Sequence, residues 1–439
     1  MNLPKLLVIP LLSLLSPALA ADPAQTPETT APNTAHAKRA VTLAPLGDSR
    51  TAIISFDTAG LNLTTLSHLN WANALNQQKY PYTGNFGISG AGSDKIIATM
   101  LEPALASHPT FMTILMGVND VRVPGFSAEH TMANITQAAD KALAQGITPI
   151  VFTDPGSEHY SAAQAAFIND LNARIKDYCS RTKGAVLFDM AALISTQRTP
   201  LIIFQPGWSY DGLHLQTLGA YKIGVAFAAL METLGAAAPA DPGHSGNLLA
   251  NPGLSGTGGK IGEGNTGTLP DSFSGSRDNA NCTIAFSANK RGDGKNEIVA
   301  ALAANESNKL AGMRVSQMIP VTDVVPGDGF QAGVQVEIDP GSVSLADVRA
   351  EVSFVFSDGT FAIVYDFDGT NKRDTISSIT GSPALSLTLQ SPVNRSPADK
   401  QIKSIKFTMG ARMMGQGNAT LRFRNPWCIK IPPAEAFKK

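Results

Sequence analysis

"VTLAPLGDSRTA", residues 41–52, opens as an apolar, β-rich run and ends in Gly47-Asp48-Ser49. Gly, Asp and Ser end strands and begin helices, so these residues read as a strand-to-helix turn. Ser49 there is either a helix cap or a nucleophile, and the surrounding chain has to decide. The same alternation continues downstream. "TTLSHLNWANALNQ" (64–77) reads as an amphipathic helix, "TFMTILMG" (110–117) as a buried strand, and "SAEHTMANITQAADKALAQG" as a helix capped by Ser127 and ended by Gly146. "ITPIVFTD", "SAAQAAFINDLNARIKDYCSRTKG", "AVLFDM" and "LGAYKIGVAFAALMETLG" extend it to about Leu234. Strand, helix, strand with short connections implies an α/β domain, a parallel sheet covered on both faces. Such sheets bind ligands outside the carboxyl ends of their strands, which is where Ser49 falls.

At 439 residues the chain is long enough for two or three domains. Its start, "MNLPKLLVIPLLSLLSPALA", has an early lysine, a short apolar stretch and a small-x-small end. It reads as a secretory signal peptide (1–20) cleaved after Ala20, which makes the chain secreted or periplasmic and leaves no stable membrane span. Residues 21–40, rich in Pro, Thr and Ala, read as a flexible leader, 41–234 as the α/β domain, and 235–246 as an Ala/Pro/Gly linker. After the linker, Gly, Asn, Ser and Asp clusters separate short alternating runs. Ser357-Asp358-Gly359 between two aromatic and β-branched runs is a hairpin signal. Residues 247–439 therefore read as an antiparallel β-sandwich.

A formal charge of −1, from 34 basic and 35 acidic residues with no basic block, leaves no electrostatic footprint for nucleic acid or an anionic membrane. Zinc-type Cys/His spacing, a phosphate-binding loop and a dinucleotide fingerprint are all missing from the sequence, so the expected site uses no cofactor and no metal. Three cysteines in an exported chain permit one disulfide. Cys282 and Cys428, at opposite ends of the second half, are the pair whose bridging is left open; Cys179, in a helical pattern, reads as a buried free thiol.

Three further segments follow apolar runs in the first domain. "NFGISGAG" contains Asn85, Gly87 and Gly90. "ILMGVNDV" places Gly117, Asn119 and Asp120 after a strand. "YDGLHLQTLG" sets Asp211 and His214 three apart before the last helix. An Asp and a His so spaced on a turn can hydrogen-bond, fixing the imidazole tautomer while the other ring nitrogen faces a serine. With Gly47-Asp48-Ser49, the Gly90 block, Gly117-Val118-Asn119-Asp120 and Asp211-Gly212-Leu213-His214 in this order, the chain from Val41 to Leu234 resembles the SGNH hydrolases, also called the GDSL family. The resemblance implies a three-layer, flavodoxin-like fold and an esterase. It makes Ser49 the nucleophile, His214 the general base and then acid, and Asp211 its orienter. The Ser49 and Gly90 backbone N–H groups and the Asn119 amide would form the oxyanion hole. "NLLANPGLSGTGG" and "GTLPDSFSG" resemble the opening of jelly-roll modules attached to carbohydrate-active enzymes, so carbohydrate binding by the second domain is left open.

The family motif has leucine where this chain has Arg50. A cation there either favours an anionic or strongly polar acyl substrate or points to solvent, and solvent is the default. Asp48 reads as organising its turn, and Asp120 as supporting the loop that presents Asn119. Asp154 either lines the cleft or caps "PGSEHY". His68, His108, His130 and His159 read as surface or core histidines, Trp427 as core, and "RGDG" (291–294) as a loop. The favoured function is an exported serine esterase acting on short acyl esters, such as acetyl, of a polysaccharide or glycoconjugate. The alternatives are a lipase, thioesterase or acyltransferase with the same site, or a non-catalytic glycan-binding surface protein. Oligomeric state is left open.

Overall fold

The computed structural model describes residues 41–55, 62–235, 246–306, 309–368, 376, 379, 384–397 and 399–432. The expected signal peptide, leader and most of the expected linker lie outside these.

The first region is built on five parallel strands. β1 (Leu43–Gly47) is followed by α1 (Ser49–Ala52), β2 (Asn62–Thr64), α2 (His68–Leu75), β3 (Phe86–Gly87), α3 (Ser93–Ala106) and β4 (Phe111–Leu115). Then come α4 (Ala128–Ala144), β5 (Thr148–Phe152), α5 (Ala162–Arg181), β6 (Val186–Phe188), α6 (Met190–Ile194), the short pair β7 (Ser195–Gln197) and β8 (Ile203–Phe204), and α7 (Thr217–Thr233). The sheet order is β3-β1-β4-β5-β6. Every residue of β1 and β4 is buried, as both-face coverage requires. Alternate residues go to opposite layers: Leu43 packs with α2 and α7, Ala44 and Leu46 with α3 and α4. Ser127 caps α4, accepting from the His130 N–H, and Ser161 with Gln164 forms a capping box on α5. The helix expected over 64–77 begins only at His68. β-branched Thr64 and Thr65 suit an extended backbone, and Ser67 caps the helix by accepting from the Asn70 N–H.

The second region is a β-sandwich. Its strands are β9 (Lys260–Ile261), β10 (Asn265–Gly267), β11 (Ser274–Arg277), β12 (Cys282–Lys290), β13 (Asn296–Ala304), β14 (Leu310–Ile319) and β15 (Gly329–Ile338). β16 (Leu345–Phe356), β17 (Phe361–Asp368), β18 (Leu385–Gln390), β19 (Asn394–Arg395), β20 (Ile402–Met414) and β21 (Gly417–Ile431) complete it. One sheet runs β10-β12-β13-β21-β15-β18, the other β2-β17-β16-β20-β14-β11-β9, mostly antiparallel. β16 and β17 form the expected hairpin, with Gly359 at φ +83° in its turn. Trp427 is buried against Gly333, where a Cβ would approach its ring to 2.4 Å.

The second sheet borrows β2 from the first region: Asn62 pairs with Tyr365, and Thr64 with Asp368. Trp71 of α2 stacks edge-on against Phe367, with 4.4 Å between ring centres, and the α2–α7 side of the first region shares a continuous apolar cluster with the sandwich. The described residues belong to one compact unit. Asp366, buried between the sheets, accepts the Gln390 N–H, and burial pushes its carboxyl up to about 7.

Cys282 and Cys428 are separate buried thiols, so no bridge joins them; Cys179 is half-buried, not buried as expected. No helix among the described residues is long and apolar enough to cross a membrane.

Candidate active site

The Gly47-Asp48-Ser49 turn is shaped by close backbone approach. A Cβ on Gly47 would lie 2.2 Å from the Leu115 carbonyl oxygen, so only glycine lets β1 leave the sheet here. Asp48 is the N-cap of α1 and accepts the Arg50 N–H at 3.0 Å. Ser49 is the first helical residue, and its Oγ lies 2.8 Å from His214 Nε2. His214 Nδ1 lies 2.8 Å from Asp211 Oδ2. The other Asp211 oxygen accepts the Leu213 and His214 N–H groups at 3.0 and 2.7 Å, so a three-residue turn holds acid and imidazole in register. Burial works against the Asp211 charge. The bonds from the His214 ring and from the two N–H groups outweigh it and hold the carboxyl below its ordinary range.

The loops bearing Gly90 and Asn119 flank this turn. The Ile88 N–H donates to Gly47 O and the Asp48 N–H to Leu115 O, so the loops after β3 and β4 leave the sheet on either side of the end of β1. Gly90 has φ +72° with no protein atom within 4 Å of the Cβ position, so its glycine is required by backbone conformation beside open space. Asn119 Nδ2 donates to Ala91 O at 2.9 Å, tying the two loops together and leaving its second N–H for another acceptor. Asp120 is buried and braces this loop as expected, accepting the Ser93 N–H and the Thr131 hydroxyl, each at 2.7 Å.

Arg50 reverses both readings offered for it. It faces neither substrate nor solvent, being 5% exposed. Its guanidinium forks onto two buried carboxylates, reaching Asp48 at 2.9 and 2.6 Å and Asp154 at 2.7 and 2.8 Å. A buried cation persists only when paired, and the bidentate geometry supplies that pairing. Burial opposes the Arg50 charge, but Asp154 and Asp48 outweigh it and raise its pKa well above the ordinary value. Asp154 is likewise held below its usual range by Arg50 and the Gly156 N–H against the cost of burial. It does not line the cleft, though it does hold the start of "PGSEHY" through that Gly156 bond.

Sequence reasoning read His159 only as a surface or core histidine and did not single out Tyr160; His159 is exposed. His159 Nε2 donates to the Asp211 carbonyl at 2.6 Å and the Tyr160 hydroxyl to the Val118 carbonyl, contacts across 52 and 42 residues that leave no local pattern. His68 is buried against Phe152, and burial, with the Arg50 charge adding to it, lowers its pKa to about 3.

Residues 46–221 match the GDSL-like Lipase/Acylhydrolase family. No curated protein matches the sequence. Among solved structures, a GDSL-like lipase from Bacteroides thetaiotaomicron is 19% identical, with 45% of this chain and 90% of that one covered and a TM-score of 0.35. An acetyl xylan esterase is 17% identical over 44% of this chain and all of that one, with a TM-score of 0.35. A carbohydrate-binding module of the β-sandwich superfamily is 12% identical over 36% of this chain and 57% of that one, with a TM-score of 0.24. Residues 46–221 are a GDSL-like lipase/acylhydrolase domain, and the protein is a serine hydrolase acting on ester bonds.

Proposed function

We propose that this chain is an exported serine esterase that removes short acyl groups, acetyl among them, from a polysaccharide or glycoconjugate. The carrying observation is the hydrogen-bonded chain from Ser49 Oγ through the His214 ring to Asp211, 2.8 Å at each link. With the proton on Nδ1 and donated to Asp211, His214 Nε2 accepts the Ser49 proton as Oγ attacks the acyl carbon. The Ser49 and Gly90 N–H groups and the free Asn119 N–H take the negative charge on the carbonyl oxygen. His214 then gives its proton to the leaving alcohol, and water attacks the acyl-enzyme by the same base.

The near-zero charge balance suits an uncharged glycan, and the leading apolar segment supports export.

The test is exposure of the purified protein and its Ser49→Ala form to a fluorophosphonate, with the adduct located by peptide mass spectrometry. Labelling at Ser49, lost in the variant together with esterase activity, is expected; labelling elsewhere would overturn the assignment. Acetyl release from acetylated glycan, unchanged by added sugar acceptor, would separate hydrolysis from acyl transfer.

A further inference from the structure

Between β5 and α5 lies the turn Asp154-Pro155-Gly156-Ser157-Glu158-His159-Tyr160, outside the four sequence blocks that mark the site. It touches two of them and Arg50, the residue that follows a third. Asp154 holds Arg50, the residue after the nucleophile, through two hydrogen bonds of 2.7 and 2.8 Å. The Tyr160 hydroxyl donates to the carbonyl of Val118, the residue before Asn119. The Glu158 N–H donates to Gly212 O at 2.8 Å, and His159 Nε2 to Asp211 O at 2.6 Å, so two successive carbonyls of the Asp–His loop are held. Gly212, at φ +70°, packs so closely that a Cβ there would lie 3.1 Å from both Glu158 Cβ and His159 Nε2.

The turn is itself rigid. Asn172 of α5 clamps Asp154 from both sides, accepting its N–H and donating to its carbonyl, each at 2.7 Å. Asp154 Oδ1 accepts the Gly156 N–H at 2.7 Å and Ser157 Oγ the His159 N–H at 3.2 Å. Arg198 donates to the carbonyls of Asp154 and Pro155. A prearranged segment that bonds three catalytic loops fixes their mutual distances without touching the substrate.

We propose that the 154–160 turn is the positioning element of this site, with His159 the positioning residue that sets Asp211, and through it His214, against Ser49. The proposal rests on the reading of Ser49, His214 and Asp211 as the catalytic triad. A carbonyl only accepts, so His159 Nε2 must carry a hydrogen for this contact, and a glutamine amide in its place offers the same donor.

His159 is exposed, so its replacement leaves the core untouched. The experiment measures kcat and KM for p-nitrophenyl acetate, the rate of fluorophosphonate labelling and the melting temperature in wild type, His159→Ala, His159→Gln and Ser49→Ala. For His159→Ala the expected result is a kcat and labelling rate lower by about 10- to 100-fold, with KM and melting temperature unchanged. His159→Gln should recover most of the loss. Wild-type kcat in His159→Ala, or equal losses in both His159 variants, would overturn the positioning role while an inactive Ser49→Ala still upheld the triad. Activity retained in Ser49→Ala would overturn both.

Discussion

Ser49 sits between two buried charges, Asp48 at 0% and Arg50 at 5% exposure. The Asp211 and His214 side chains are 37% and 21% exposed. The two halves of the proposed triad are thus held by different physics. The turn bearing Ser49 is locked by a non-local ion cluster, Asp48–Arg50–Asp154, whose members lose much if one partner goes. The Asp–His loop is a local Asx-type turn braced by backbone contacts, and its Asp211 carboxylate keeps solvent access. Stability and catalysis should therefore separate between the two regions.

The sharpest test of that separation is Asp211→Asn. It keeps the side-chain shape but upsets the tautomer of His214, and kcat should fall by about 10⁴-fold with the unfolding free energy nearly unchanged. Paired stopped-assay kinetics and chemical denaturation would check this. A large stability loss would break the contrast.

Arg50→Leu, which restores the leucine of the family motif, should do the reverse and destabilise the fold by about 3–5 kcal/mol by leaving Asp48 and Asp154 buried without a cation. The effect should depend on pH. In the wild type the Asp154 pKa is depressed, so its contribution to stability is present above the ordinary carboxylate range and is lost as pH falls through the depressed value. In the variant burial is opposed only by the Gly156 N–H and the Arg198 charge, so that pKa rises and stability gains less as pH rises. Urea unfolding at several pH values should therefore find the gap between the two proteins widening from acid to neutral pH, and a constant gap would refute the ion-cluster account.

The smallest effect belongs to a buried acid that no cation among the described residues pairs with. The Asp366 pKa is raised from 3.8 to about 7, so folding favours its protonated form. Its cost is absent below the unfolded pKa, grows as pH rises through this interval and is complete above about 7. Asp366→Asn keeps an acceptor for the Gln390 N–H and should stabilise the protein by about 2–4 kcal/mol at pH 8, with the gain vanishing near pH 4. Melting curves at the two pH values would show it. Equal curves at pH 8 would mean that the carboxylate finds solvent or a cation.

Much of the site was legible because its chemistry is written in short, local patterns. Asp211 and His214 lie three apart, and their turn forms from its own backbone N–H groups. Gly47 and Gly90 mark positions where a side chain is excluded by contact or by φ. Arg50 was misread because its second partner, Asp154, lies 104 residues away, and nothing in "GDSRTA" distinguishes a buried arginine from an exposed one. His159 was read only as a surface or core histidine for the same reason, its partner Asp211 lying 52 residues away.

The sequence by itself determined the alternation of strands and helices, the change to β texture after the first region, the helix cap at Ser127, and the four blocks of the proposed site. All of these rest on periodicity or on contacts within a few residues. Only the tertiary structure decided that Arg50 is buried between two acids, that β2 joins the sandwich sheet, that Cys282 and Cys428 stay apart, and that the 154–160 turn reaches three catalytic loops. Each of these depends on which distant segments meet, and chain closure over tens to hundreds of residues leaves no trace in local spacing.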